Sequence, residues 1–180
     1  MKIKIYFIEK TISFDSSYIN SSSIAGAEKV LINITNELSK YKNLVIKVFN
    51  NTDNEKTINN VQWININRIK DNDIPDYLIA MSDANLLSLL NCKKKYLWSH
   101  SVQPIEKFIR KKQLIPFIKN KPVVLVQGAY HYNTRNFFTS IFGKKIISIA
   151  PDYDFIETKI NKEFIPPKKA IFTTRSDRNL

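Results

Sequence analysis

Two segments of this sequence carry residues that could do chemistry: a glycine where a helix is predicted to start, and a histidine that follows a predicted strand. Gly26 and Ala27 come directly after a Ser-rich stretch that ends near Ser23. The free N–H groups and dipole of a helix start attract phosphate, and a glycine there lets the ligand approach closely. Alternatively, Gly26 only relieves crowding where helix meets sheet. This stretch alone favours neither interpretation.

The histidine is His100, one of only two in the chain. It follows an apolar segment, 95–98, so it is expected to hydrogen-bond a ligand rather than neighbouring backbone. The other, His131, lies within 130–135 (Tyr-His-Tyr-Asn-Thr-Arg), whose rings can stack on a sugar and whose arginine can meet an acidic acceptor. Such a loop is more often packed aromatic surface.

Two further residue types have simpler explanations. Glu28 lies in the first turn of the predicted helix, where the dipole alone favours a carboxylate. Cys92 is the single cysteine, so the chain forms no internal disulfide and no two-cysteine metal site. With no histidine or acid beside it, Cys92 is interpreted as structural.

The elements that must position these residues follow from hydrophobic spacing. Strands are predicted over 2–8, 44–49, 61–66, 76–81, 95–98, 122–126 and 145–149. Helices are predicted over 27–41, 83–90, 104–114 and 133–142, and a polar loop over 50–60. This alternation predicts an α/β fold, a Rossmann-like and mostly parallel sheet with helices on both faces. Ligands of such sheets bind at the carboxyl ends of the strands.

Composition narrows the class of protein. With 180 residues and 43% apolar content, the chain can form a buried core. No apolar stretch approaches the roughly 20 residues that span a bilayer, and no signal peptide pattern is seen, so a microbial cytoplasmic location is expected. The net charge of +12 attracts phosphates. Scattered lysines without a recognisable nucleic-acid motif predict no nucleic acid partner.

The last part of the chain predicts a domain boundary. Residues 151–169 are irregular and contain Pro166-Pro167, which is typical of a linker, and 170–174 predict a new strand. We therefore expect a Rossmann-like domain over 1–160. Residues 161–180 would be a linker and the first strand of a second domain.

Four segments, taken in order, resemble the family 4 glycosyltransferases, retaining enzymes of GT-B architecture. Residues 23–28 (Ser-Ile-Ala-Gly-Ala-Glu) are similar to that family's Gly-Gly-Ala-Glu loop, and 97–100 (Leu-Trp-Ser-His) to its strand ending in a histidine that faces the interdomain cleft. Residues 147–155 lie where the family has Val-Pro-Asn-Gly-Val, here without Asn-Gly. Thr174-Arg175 followed by Arg178 resembles the arginine and lysine that clamp the donor diphosphate.

The resemblance implies the N-terminal half of a GT-B fold. It implies transfer of a sugar, with retention, from a nucleotide-sugar donor to a glycan or lipid-linked acceptor in bacterial cell-surface polysaccharide biosynthesis. No metal or other cofactor is expected, and this domain is expected to be inactive without the second one. His100 would be catalytic. The donor phosphates would be bound by Gly26, Ala27, Arg175 and Arg178, and the acceptor by Ser23, Tyr132, Asn133 and Arg135.

Segment 107–119 interleaves basic and apolar residues. Its apolar set usually packs into the core. If Phe108, Leu114, Phe117 or Ile118 are exposed, the segment fits an anionic membrane surface, which would place the protein at the inner face of the cell membrane.

Three other functions stay open. The first is another GT-B sugar-nucleotide enzyme such as an epimerase, which needs carboxylates in the cleft and has Asp83 or Asp152 as candidates. The second is a basic nucleic-acid-binding α/β module. The third is a nucleotide-binding domain without enzymatic activity.

Overall fold

Eight strands and five α-helices account for most of the described chain. The computed structural model describes residues 2–21, 23–24, 26–70, 72–102, 104–134 and 137–149. The strands are β1 Ile3–Ile8, β2 Leu44–Asn50, β3 Lys56–Ile58, β4 Val61–Asn65, β5 Tyr77–Met81, β6 Lys94–Ser99, β7 Val123–Gln127 and β8 Lys145–Ile149. The helices are α1 Gly26–Leu38, α2 Ile105–Arg110, α3 Leu114–Asn120, α4 Gly128–Thr134 and α5 Phe137–Phe142. Single-turn 3-10 helices span Ser16–Asn20, Ile66–Arg68 and Ala84–Ser88.

All the strands belong to one sheet, in the order β3-β4-β2-β1-β5-β6-β7-β8. Every neighbouring pair is parallel except β3 with β4. Helices cover both faces, so the predicted fold class, a Rossmann-like α/β fold with a mostly parallel sheet, is confirmed.

Several predicted boundaries were wrong for local reasons. The loop expected over 50–60 contains β3, which turns back into β4 through Asn59 and Asn60, both in the left-handed region that a tight hairpin requires. The helix expected over 83–90 is a short 3-10 helix after Asp83, whose side chain caps it. Lys112, with a φ of 54°, separates α2 from α3 within the helix predicted over 104–114.

The helix predicted over 133–142 also divides in two. It begins earlier, at Gly128, where a φ of 74° turns the chain sharply out of β7. Gly143 follows α5 directly, and a side chain there would press against the Thr139 carbonyl.

Two apolar clusters lie on opposite faces of the sheet. On the first, the helix-rich face, alternate strand residues such as Ile8, Leu78 and Leu97 pack with one phenylalanine from each of α2, α3 and α5: Phe108, Phe117 and Phe138. On the second, the α1 face, Phe7, Val48, Ile79, Met81 and Trp98 pack with Leu31 and Ile32.

Part of the α1 face lies open. The connections from β5 to β8 all move in one direction across the sheet, and right-handed crossovers then place their helices on one face, the helix-rich one. On the other face α1 leaves an apolar groove of about 260 Å³ beside it. The groove is lined by Ile5, Phe7, Ile34, Leu38, Tyr77, Ile79, Tyr96, Trp98 and Leu125.

A polar network fixes the loop that precedes β5. Asp73 accepts hydrogen bonds from the Tyr6 hydroxyl at 2.5 Å and from Lys47 Nζ at 2.5 Å. The Lys47 ammonium also lies 5.0 Å from the Tyr6 ring centroid. This partly buried group ties the loop to β1 and β2.

The chain divides into two units, Met1–Ala150 and Pro151–Leu180. The second unit lies outside the described residues, so the expected boundary at 160 stays a prediction. None of the helices in the described ranges is long and apolar enough to cross a membrane.

Candidate functional site

The carboxyl ends of β1, β5, β6 and β7 form one edge of the sheet and carry most of the candidate residues. From β1 the chain passes through α1 to β2 on one side, and later returns to β5 on the other. Connections that diverge in this way leave a crevice at the strand ends, where α/β proteins bind ligands. Ser82, which follows β5, has a φ of 54°, a conformation that costs a non-glycine residue about 1 kcal/mol.

His100 lies at this edge of the sheet, directly after β6. Its ring centroid is 4.8 Å from that of Trp98, and the two planes are inclined by 32°. The side-chain amide nitrogen of Gln127, at the end of β7, lies 2.7 Å from His100 Nδ1. An amide nitrogen only donates, so Nδ1 accepts and the neutral ring carries its proton on Nε2. Nε2 is buried and has no partner among the described residues.

Burial fixes the charge of this histidine. Burial, with a smaller contribution from the neighbouring His131, lowers the pKa of His100 to about 4. The ring is therefore neutral near pH 7. With Nδ1 engaged and Nε2 protonated, His100 can donate a hydrogen bond to a ligand oxygen, but it does not offer a free nitrogen to act as a base.

His131 supports this arrangement from within the protein. It is buried on α4, and its Nδ1 accepts the backbone N–H of Gln127 at 3.2 Å. Burial lowers the pKa of His131 more than its hydrogen bond to the Ser101 backbone raises it. On the same helix Tyr132 and Asn133, two predicted acceptor-binding residues, are exposed.

The start of α1 lies at the same edge and is open to solvent. Gly26 is exposed, and a Cβ added there would meet nothing within 4 Å. The crowding interpretation of Gly26 is therefore wrong. The first N–H groups of a helix have no intrahelical partner, so those of Gly26 and Ala27 can face a ligand. Ser23, the third predicted acceptor residue, is exposed with its Oγ 2.6 Å from Ser21 Oγ.

Glu9 and Glu28 are further candidate site residues. No sequence pattern singled out Glu9, and Glu28 was interpreted as a carboxylate favoured by the helix dipole alone. Glu9 follows β1 directly and is 5% exposed, while Glu28 on α1 is 9% exposed. Burial raises the pKa of Glu9, aided by the charge of Glu28 and opposed by hydrogen bonds from Thr11 and Ile12. One oxygen of each carboxylate is buried without a partner among the described residues. An acid directly after an apolar strand, at the ligand-binding edge, was the available signal.

This carboxylate pair limits what can bind beside α1. Two carboxylates disfavour the binding of a further anion, whereas their free oxygens accept hydrogen bonds from hydroxyl groups. A diphosphate at Gly26 would therefore need positive charge from elsewhere. The arginines predicted to supply it, Arg175 and Arg178, lie outside the described residues.

The remaining candidates separate into two groups. Asp83, the epimerase carboxylate, is engaged in capping, since it accepts from the backbone and side chain of Asn85 at 2.9 Å. Arg135 and Asp152 lie outside the described residues. In the described part of the chain, no group of three or more metal-ligating side chains comes together.

Membrane docking by segment 107–119 was expected only if its larger apolar side chains were exposed, and they are not. Phe108 and Phe117 are buried, and Leu114 and Ile118 pack against the core of the helix-rich face. The exposed apolar residues of this region are instead Ile109 and Ile115, at 59% and 76% exposure.

Comparison of the chain with protein-family models, curated proteins and solved structures finds no match.

Proposed function

We propose that this chain is the acceptor-side domain of a glycosyltransferase that transfers a sugar, with retention, from a nucleotide-sugar to an acceptor. The observation that carries the proposal is the placement of His100. Its Nε2–H is an unpartnered donor, oriented by Gln127, in the crevice that also contains the exposed start of α1. Cell-surface polysaccharide assembly in a bacterium is the proposed setting, with a glycan or lipid-linked acceptor.

The order of the parallel strands supports a nucleotide ligand. Without the antiparallel β3, the order is β4-β2-β1-β5-β6-β7-β8, and its first six strands follow the Rossmann pattern of dinucleotide-binding proteins. In that pattern the phosphates lie at the helix that follows the first strand, here α1.

Each part of the crevice then has a role. The backbone of Gly26 and Ala27 binds donor phosphate, while the neutralisation of the leaving diphosphate by Arg175 and Arg178 stays a prediction from the sequence. His100 donates to a sugar oxygen, which holds the donor in a reactive orientation. Glu9 and Glu28 accept hydrogen bonds from sugar hydroxyls.

Saturation-transfer NMR with a panel of nucleotide-sugars, followed by transfer assays and anomeric analysis of the product, tests the proposal. We expect this chain to bind a nucleotide-sugar. In the protein that includes the expected second domain, His100→Ala should lower the transfer rate about 100-fold, the loss that follows removal of one well-placed donor. Lys42→Ala, at the opposite edge of the sheet, should transfer at the wild-type rate. Absence of both binding and transfer across the panel would refute the assignment.

The buried pair Glu9 and Glu28 favours one second candidate, a sugar-nucleotide epimerase, because epimerisation needs carboxylates beside the sugar. The two reactions differ in their requirement for an acceptor. Conversion of the donor sugar without any acceptor, abolished in Glu9→Gln, would select the epimerase.

A further inference from the structure

The opposite edge of the sheet carries a concentration of lysines that the proposed function does not use. Lys94 and Lys95 begin β6 and Lys93 directly precedes it, while Lys121 precedes β7 and Lys144 precedes β8. The parallel register pairs Tyr96 with Val123 and Val123 with Lys145, so these three strand starts lie side by side. Lys144 N–H also donates to the Pro122 carbonyl at 2.9 Å.

The side chains surround a small pocket, which we call the lysine pocket. Its lining consists of Lys93, Lys94, Lys95, Tyr96, Asn120, Lys121, Val123 and Lys144, with five lysines and no acidic residue. The volume is about 60 Å³, roughly the share of two water molecules in the liquid. Such a volume admits one phosphate-sized group.

One lysine of the pocket is held in place by neutral partners. Lys95 Nζ donates to the Leu87 carbonyl at 2.6 Å and to Asn120 Oδ1 at 2.8 Å. The Asn120 amide is itself fixed, since its nitrogen donates to Ser88 Oγ and to the Pro116 carbonyl. An ammonium has three donors, so one N–H of Lys95 is left for a ligand.

No acidic side chain of the described residues lines the pocket, so its lysines have no carboxylate partner there. Burial lowers the pKa of Lys95, and the charge of Lys119 adds to this effect. The side chains of Lys93, Lys121 and Lys144 have no hydrogen bond or ion pair with any described residue. A bound anion would relieve the repulsion among them.

We propose that the lysine pocket binds a phosphate group of an anionic ligand. Lysines act as flexible point charges and suit a terminal phosphate, which carries more charge and more free oxygens than a diester. The strands are five or six residues long, so this pocket lies about 15–20 Å from the crevice of His100. It is therefore a second site, distinct from that of the proposed donor phosphates.

Titration calorimetry with inorganic pyrophosphate at low salt tests this proposal. We expect Lys93→Gln/Lys144→Gln to raise the dissociation constant about tenfold, the scale of charge-assisted hydrogen bonds. Lys40→Gln/Lys42→Gln is the matched control, since it removes equal charge from the same edge near β2, three strands and about 14 Å away. Its affinity should stay within about twofold of the wild type.

Vesicle sedimentation identifies the source of the phosphate. Retention on phosphatidic acid vesicles but not on phosphatidylglycerol vesicles, lost in the Lys93/Lys144 variant, would indicate a lipid phosphomonoester. Pyrophosphate binding without vesicle binding would indicate a soluble ligand, and either result supports the pocket. Equal weakening in both double variants, or no binding to any probe, would overturn it. Circular dichroism of both variants establishes that each is folded.

Discussion

The surroundings of His100 set both its charge and its tautomer. Burial keeps its ring neutral, and one amide, that of Gln127, determines which nitrogen carries the proton. The same histidine in water would titrate near pH 6.5 and exchange between tautomers. Two measurements on this single residue follow.

The first measurement is the pH dependence of folding stability. Because the pKa of His100 falls from 6.5 to about 4 on folding, the unfolded chain binds the proton more readily. The stabilisation that the neutral His100 gives the folded state is therefore complete above about pH 6.5. It is lost as the pH falls towards 4, and the loss in unfolding free energy is up to about 3 kcal/mol. Urea unfolding at several pH values should show a shallower dependence in His100→Gln. An unchanged slope would contradict the assigned burial.

The second measurement is the tautomer. In Gln127→Leu the donor to His100 Nδ1 is lost, so the preference for a proton on Nε2 should weaken. Nitrogen-15 NMR of the ring would report a mixture of tautomers, with a lower transfer rate under the proposed function. Gln62→Leu, on the distant strand β4, is the control and should leave the His100 ring signals in place.

At the scale of elements, the start of α1 is the part of the crevice that can be tested without touching a catalytic side chain. Gly26→Ala meets no neighbour within 4 Å, so stability should stay equal or rise by up to about 1 kcal/mol. A nucleoside diphosphate that approaches this backbone should bind more weakly, as measured by calorimetry. Asn33→Ala, on the exposed side of the same helix, should bind normally. Unchanged affinity in Gly26→Ala would contradict the placement of the phosphates at the start of α1.

Glu28 on the same helix provides the complementary test. If donor phosphates lie at the start of α1, Glu28→Gln removes a like charge and should strengthen binding of the bare nucleoside diphosphate a few-fold. The affinity for the nucleotide-sugar should increase less, because the sugar hydroxyls lose a hydrogen-bond acceptor. Weaker binding of the bare diphosphate would contradict this placement.

The loop before β5 depends on a single carboxylate. Burial raises the pKa of Asp73, but hydrogen bonds from Lys47 and Tyr6 and the charge of Lys47 outweigh it, so the pKa lies below its usual value. Its contribution to stability is therefore complete above about pH 3.9 and is lost as the pH falls through the lowered value. Asp73→Asn should cost about 1–3 kcal/mol at pH 7 in urea unfolding, because Lys47 keeps an uncompensated charge. Asp53→Asn, on an exposed loop, should cost little, and equal costs would contradict the network.

At the scale of the whole molecule, the two faces of the sheet should respond differently to the same substitution. Leu97 is 1% exposed under the helices, whereas Leu125 lines the open groove and is only half-buried. Leu97→Ala should cost about 2–5 kcal/mol of unfolding free energy, and Leu125→Ala about 1 kcal/mol. Similar costs, measured by urea unfolding, would show that the groove is filled when the protein is in solution.

Sequence reasoning located the strands well because their signal is local. The period-2 pattern of β1 and the continuous apolar run of β7 are each readable within a few residues. It failed at β3, α2 and α4, where single residues in the left-handed region, such as Asn59, Lys112 and Gly128, decided the boundaries. The sequence around these residues predicts a continuous helix or a polar loop, so the turns could not be recognised.

The sequence by itself determined the fold class and two members of the crevice, Gly26 and His100, since each follows a recognisable strand or begins a helix. Only the tertiary structure placed Gln127 against His100, gathered Glu9 and Glu28 at one edge, and joined three separate lysine segments into one pocket. The physical reason is that strand order and register are set by long-range packing. Side chains brought together across neighbouring strands are far apart in the chain, and no local pattern records their meeting.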